Sequence, residues 1–215
     1  MGSPEIVFYF DCASSFSYIG FEFMERYKKL WGIKVDYCPF VLGDVMAKAK
    51  NTFSPYKLPY LFTDLKRTSS ITGIPFKGVP KKYPYDPTNA LRTLQYLKTR
   101  HPDLMTEAMR RLWNMEYVQL KAPESVDDIK QALTGHVNPS IVDQAVGADD
   151  TLGAIVQNTE AVKKLHGFGA PTILVSKGDG SKPQFFFGSD RFEHIAIYLG
   201  KEFHPMKQLF ANARL

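Results

Sequence analysis

The stretch "FYFDCASSFSYIGF", Phe8 to Phe21, joins strand-forming residues to a helical pattern through a turn of small polar side chains. Upstream, Glu5 to Phe10 is short, β-branched and aromatic, and reads as a strand. Downstream, apolar residues recur as Phe16, Ile19, Phe23, Met24, Tyr27, Leu30 and Trp31, a helical face that Gly32 closes. "IKVDYCPFVL" then alternates Ile33, Val35 and Tyr37, a second strand with Pro39 at its edge or end. Strand, helix and strand in this order predict a right-handed βαβ unit with parallel strands.

Farther along, the pattern changes. Pro55, Pro59, Pro75, Pro80, Pro84 and Pro87 restrict residues 44–90 to short helices or helices separated by irregular segments. From Ala90 to about Ile155 the rhythm is helical, with Ser125 and Asp128 spaced as a capping box and Pro139 as a helix-start signal. Strands return in "APTILVSK" and "PQFFFG", which "GDGS" joins as a hairpin. "SDRFEHIAIYLG" reads as a closing helix with Ser189 as N-cap and Gly200 as stop. The order βαβ, helices, ββα is the thioredoxin-like plan, so an α/β fold is expected: a thioredoxin-like domain interrupted by an all-helical insertion. The division falls at residues 1–55 and 168–215 for the first and 56–167 for the second. Pro171 opens the later strand after "GFGA", where thioredoxin-like folds hold a cis-proline.

Bulk properties exclude several functions. The chain has 215 residues, 44% hydrophobic and 23% charged, as expected of an ordinary folded protein with a sizeable core. Its net charge of +5 is scattered, and the densest basic cluster, "KGVPKK", is too short for a nucleic-acid footprint. Two cysteines, Cys12 and Cys38, make no disulfide framework, and with five dispersed histidines they form no zinc spacing, so no metal is expected. No apolar run approaches the ~18 residues of a membrane span, and "MGSPEIVFYF" lacks the layout of a signal peptide.

The turn carries the chemistry. Cys12-Ala13-Ser14-Ser15 lacks the second cysteine of a dithiol, which excludes a two-cysteine oxidoreductase. Cys12 stands too far ahead of the helix to gain much from its dipole, and an inert thiol is the simpler reading. A serine at the helix start has two roles open to it. It can cap the helix, or it can donate its hydroxyl proton to a bound thiolate. A hydrogen bond to a charged partner contributes ~1.5–3 kcal/mol and the helix end ~0.3–1 kcal/mol. At 1.36 kcal/mol per unit, the pair lowers a thiol pKa by roughly one to three units. No general base is then required.

These residues resemble the kappa class of glutathione transferases, relatives of the DsbA and 2-hydroxychromene-2-carboxylate isomerase proteins. "FYFDCASSFSYIGFEF" is similar to that class's strand, Asp-x-x-Ser-Pro-Tyr-Ser and helix, although Ser15 replaces the proline and Phe16 the tyrosine. "NTFSPYKLPYLFTDL", "GFGAPTIL" and "FGSDRFEHIAIYLGKEF" with the ending "NARL" match further segments in the right order. The resemblance implies that Ser14 holds the glutathione thiolate. It likewise implies that Asn51 and Lys57 contact the peptide, that Ala170 beside Pro171 pairs with its cysteinyl backbone, and that Ser189, Asp190 and Arg191 hold the γ-glutamyl end. It implies glutathione as co-substrate, an apolar small-molecule electrophile and a homodimer, with the second-substrate pocket between the insertion and the turn, near aromatics such as Trp113. Core packing is the simpler role for Trp113 itself. A glutathione-dependent isomerase and a non-catalytic glutathione- or lipid-binding protein are the alternatives. Ala213-Arg214-Leu215 resembles a peroxisomal address read by an import receptor, with the mitochondrion as the other expected compartment.

Overall fold

Strand β1, Glu5–Phe10, sits at the centre of the molecule's one described sheet. Its alternation decides what lies on each face. Ile6, Phe8 and Phe10 enter the main core, whereas Val7 and Tyr9 face a second, smaller one. The structure, a computed structural model, describes residues 2–52 and 54–211. Ala213, Arg214 and Leu215 lie outside the described residues.

Helix α1 spans Ser15–Trp31 and ends as expected, with Gly32 left-handed at φ 63° and its N–H on the Lys28 carbonyl. Leu30, read as part of the apolar face, is 40% exposed, whereas its neighbour Trp31 is buried in the main core. β2, Lys34–Pro39, pairs with β1 in parallel, and β3, Thr172–Ser176, pairs with β1 antiparallel. β4, Gln184–Phe187, completes the order β2-β1-β3-β4. The sequence expectation of βαβ followed by ββ holds in both direction and order.

Between β2 and β3 run α2 (Leu42–Lys48), a single 3₁₀ turn (Pro55–Lys57), α3 (Leu58–Thr72), α4 (Thr88–Arg100), α5 (Pro102–Tyr117), α6 (Val126–Ala132), α7 (Pro139–Gly147) and α8 (Asp149–Lys164). α3 runs 15 residues because Pro59 falls at its first turn, where no N–H is needed, and Pro75 lies beyond its end. The Ser125–Asp128 capping box forms, and Asn138 caps the helix that Pro139 opens. α8, placed with the insertion in the sequence division, covers the sheet's second face through Ala161 and Val162, with Leu165 just past its end.

One sequence expectation is corrected at the closing helix. α9 spans Phe192–Leu199 and its N-cap position is Arg191, not Ser189. Gly188 is left-handed at φ 100°, and the turn it starts consumes Ser189 and Asp190 before the helix begins. A further helix, α10 (Met206–Ala211), comes next and packs on α3. No described helix is long and apolar enough to cross a membrane.

Candidate active site

Ser14 is the N-cap of α1, with extended φ/ψ of −103° and 109°. Its hydroxyl oxygen accepts the Ser17 N–H at 3.1 Å, and its carbonyl accepts the Tyr18 N–H at 3.1 Å. An oxygen that accepts in this way still has its own proton to donate, so capping and donation are compatible roles. Ser15 is the first helical residue.

Asp11 organises the residues before Ser14. It is 2% exposed; one carboxylate oxygen accepts the Ala13 N–H and the other the Leu42 N–H, each at 2.8 Å. Burial pushes its carboxyl up to about 6, against the lowering effect of those two bonds. Cys12 is 1% exposed, and burial, with the nearby Asp11 and Glu116 carboxyls, pushes its thiol well above its ordinary range. That thiol is neutral and inaccessible.

Two residues far along the chain reach the same turn. Trp113 of α5 donates its indole N–H to the Cys12 carbonyl at 3.0 Å. Tyr83 donates its hydroxyl to the Ala13 carbonyl at 2.9 Å. Trp113 is a core residue packed on Phe10, Tyr18 and Phe21. Beneath the turn lies Glu116, fully buried, accepting from the Tyr85 hydroxyl at 2.9 Å. Burial holds this carboxyl well above the usual range.

The Ala170–Pro171 bond is cis. Opposite it stands Gly20 of α1: a Cβ there would sit 3.0 Å from the Pro171 ring and 3.5 Å from Ser189 Cβ. The missing side chain lets α1 approach both segments. The Gly188 N–H bonds the Pro171 carbonyl at 3.0 Å, tying the turn after β4 to the proline.

These segments border a cavity of about 490 Å³. Phe16, Ile19 and Phe23 form one wall, while Phe203 and Met206 come from the C-terminal segment. Of the residues the sequence singles out, Ala170, Ser189 and Asp190 line it, whereas Ser14, Asn51, Lys57, Pro171 and Arg191 lie outside the lining. Asn51 donates to the Phe168 carbonyl at 2.7 Å, which fixes its loop beside the Gly167–Pro171 approach. Lys57 is exposed at the end of the 3₁₀ turn. Arg191 pairs with Asp190 at 3.1 Å on the surface, a contact of little energetic weight. Asp64 of α3 also lines the cavity, facing the same space as Asp190. Sequence reasoning passed over it, although it is the one acid in "NTFSPYKLPYLFTDL". No described group of histidine, cysteine and acidic side chains gathers as metal ligands.

The DSBA-like thioredoxin domain matches residues 5–200. The glutathione S-transferase kappa 1 of Caenorhabditis elegans is 34% identical over 209 residues, covering 91% of both chains. A solved structure of 2-hydroxychromene-2-carboxylate isomerase superimposes with a TM-score of 0.71 at 20% identity, over 91% of this chain and 94% of that one. The cytosolic disulfide reductase DsbM from Pseudomonas aeruginosa, solved with GSH, gives 0.62 at 15% identity, over 91% and 92%.

Proposed function

The chain belongs to the DSBA-like thioredoxin family and, within it, to the kappa glutathione S-transferases, and we propose that it activates glutathione at Ser14. The observation that carries this reading is the Ser14 hydroxyl. It sits at the N-terminus of α1, accepts from Ser17 and keeps a proton to donate. The helix end and that donor both favour a thiolate over a thiol. The thiol proton goes to solvent. The sulfur then attacks an electrophilic carbon, a C–S bond forms, and the leaving group, a halide for an activated aryl halide, departs with its electron pair. The same thiolate can reduce a hydroperoxide: the sulfur takes the terminal oxygen as the O–O bond breaks and an alcohol leaves, and the resulting sulfenic acid condenses with a second glutathione to give the disulfide and water. The buried, neutral Cys12 supports this reading against a cysteine-based redox mechanism.

For binding, we place the cysteinyl backbone against Ala170 beside the cis-proline, as thioredoxin-like geometry supports. Asn51 and Lys57 serve the peptide's other groups. Ser189, Asp190 and Arg191, joined by Asp64, take the γ-glutamyl end, where carboxylates suit an ammonium. Trp113 is a core residue, so the hydrophobic substrate is assigned to the apolar wall of Phe16, Ile19 and Phe23, across the cavity from Leu65 and Thr68 of the insertion's α3. A homodimer follows from the class resemblance alone.

The test is conjugation of glutathione to an activated aryl halide by wild type, Ser14→Ala and Cys12→Ala. Ser14→Ala is expected to lose about tenfold or more in kcat/KM near neutral pH, and Cys12→Ala to keep most activity. Full activity in Ser14→Ala would remove the thiolate assignment. The structural likeness to the isomerase favours a second reading, in which the sulfur adds reversibly and no conjugate accumulates. Isomerisation of a hydroxychromene carboxylate without conjugation of the aryl halide would select it.

A further inference from the structure

Two peptide planes precede Ser14, and each is held at both its ends. In the Cys12–Ala13 plane, the carbonyl accepts from Trp113 Nε1 at 3.0 Å and the N–H donates to Asp11 Oδ1 at 2.8 Å. In the Ala13–Ser14 plane, the carbonyl accepts from the Tyr83 hydroxyl at 2.9 Å and the Ser14 N–H donates to the Asp11 carbonyl at 3.1 Å. Asp11 supplies the local half of this frame. Tyr83 and Trp113 supply the other half, from 70 and 101 positions away.

A peptide plane pinned at one end can still tilt about that contact, carrying the next Cα–Cβ bond with it. Pinning the second end removes the tilt. The direction in which Ser14 presents its Oγ is therefore set partly by the residues that hold the two preceding carbonyls. Hydrogen bonds weaken steeply with misalignment, so a small tilt matters more for the bond to sulfur than for the fold.

We propose that Tyr83 and Trp113 are positioning residues, through which the helical part of the chain aims the Ser14 hydroxyl at the thiolate. This rests on the reading of Ser14 as the thiolate's donor. Neither side chain needs to touch glutathione. Both act by holding carbonyl oxygens. Trp113 is buried and Tyr83 half-buried, so solvent competes little for either bond.

The experiment titrates the ultraviolet thiolate absorbance of glutathione bound to wild type, Ser14→Ala, Tyr83→Phe and the double variant. Tyr83→Phe keeps the ring and removes one hydroxyl, leaving the acids around the turn, Asp11, Glu116 and Asp86, in place. Ser14→Ala is expected to raise the midpoint by about one to two units. Tyr83→Phe is expected to raise it by roughly half a unit, which lowers turnover below the midpoint about threefold. In the Ser14→Ala background Tyr83→Phe should add nothing, because its effect passes through the serine. Trp113→Phe should repeat that pattern, and melting temperatures recorded alongside separate it from loss of core packing.

A midpoint that Ser14→Ala raises but Tyr83→Phe leaves in place overturns the positioning role alone. An equal rise from Tyr83→Phe in both backgrounds overturns it too, since the tyrosine then acts directly. A midpoint unmoved by Ser14→Ala overturns the serine assignment, and the positioning role with it.

Discussion

The indole nitrogen of Trp113 lies 3.0 Å from the carbonyl oxygen of Cys12, so a helix-borne ring holds the turn after β1. The same ring packs between Phe10, Tyr18 and Phe21, with centroids 5.9, 5.5 and 5.1 Å away. Packing and hydrogen bonding are here one residue's work. Truncating it removes a large buried volume and leaves the carbonyl unpaired in a dry site. Trp113→Ala should destabilise by ~3–5 kcal/mol, read from denaturant unfolding. A loss below about 1 kcal/mol would mean that the surrounding aromatics collapse into the space.

Gly20 gives a second prediction. A methyl group there meets the Pro171 ring at 3.0 Å and Phe8 at 3.3 Å, both in packed surroundings. Gly20→Ala should therefore destabilise by ~1–3 kcal/mol despite alanine's better helix propensity. Because the displacement opens the gap between α1 and the proline segment, KM for glutathione should rise more than kcat falls. An unchanged KM would separate the proline segment from glutathione binding.

Stability should depend on pH through the buried acids. Asp11 titrates at about 6 in the folded chain against 3.8 ordinarily, so the folded state keeps a proton that the unfolded state has released. Its contribution is full below about pH 4 and is lost as pH rises to 6, about 3 kcal/mol in all. Glu116, raised by burial, has the same sign and adds to the loss as pH rises. Glu116→Gln removes one of the two titrations. Its melting temperature should gain on that of wild type steadily as pH rises above 4. A constant difference between the two proteins would show that Glu116 does not change its proton on unfolding.

Both thiols should be unreactive in the native protein. Burial raises Cys12 well above the ordinary range and Cys38 to about 12, the latter despite Lys98 at 2.9 Å. A disulfide-exchange reagent should find no fast thiol in the folded chain and both Cys12 and Cys38 after denaturation. Rapid loss of a native thiol together with activity would return cysteine chemistry to the mechanism.

What the sequence disclosed and what it withheld divide along range. β1, α1 and β2 follow from period and punctuation, and so do the hairpin and the Ser125–Asp128 cap, because each is written in neighbouring residues. Ser189 imitates a cap because a serine before an apolar rhythm fits the cap pattern, while the left-handed Gly188 that delays the helix is visible only in the backbone. Asp64, Tyr83 and Glu116 escape sequence reasoning for a related cause. Their significance comes from what stands across from them, and periodicity along α3, α5 or an irregular segment does not specify a partner on another element.

The pinned turn also bears on how the molecule is made. Synthesis delivers Ser14 and the local half of its frame well before the other half. Tyr83 and Trp113 come after α3, and β1 must wait for Ser176 before Glu5 gains its antiparallel neighbour. A nascent βαβ segment therefore carries Ser14 with half a frame and one open strand edge. The exposed edge of β1 makes the interval before β3 docks the time when the chain most needs shelter from other chains.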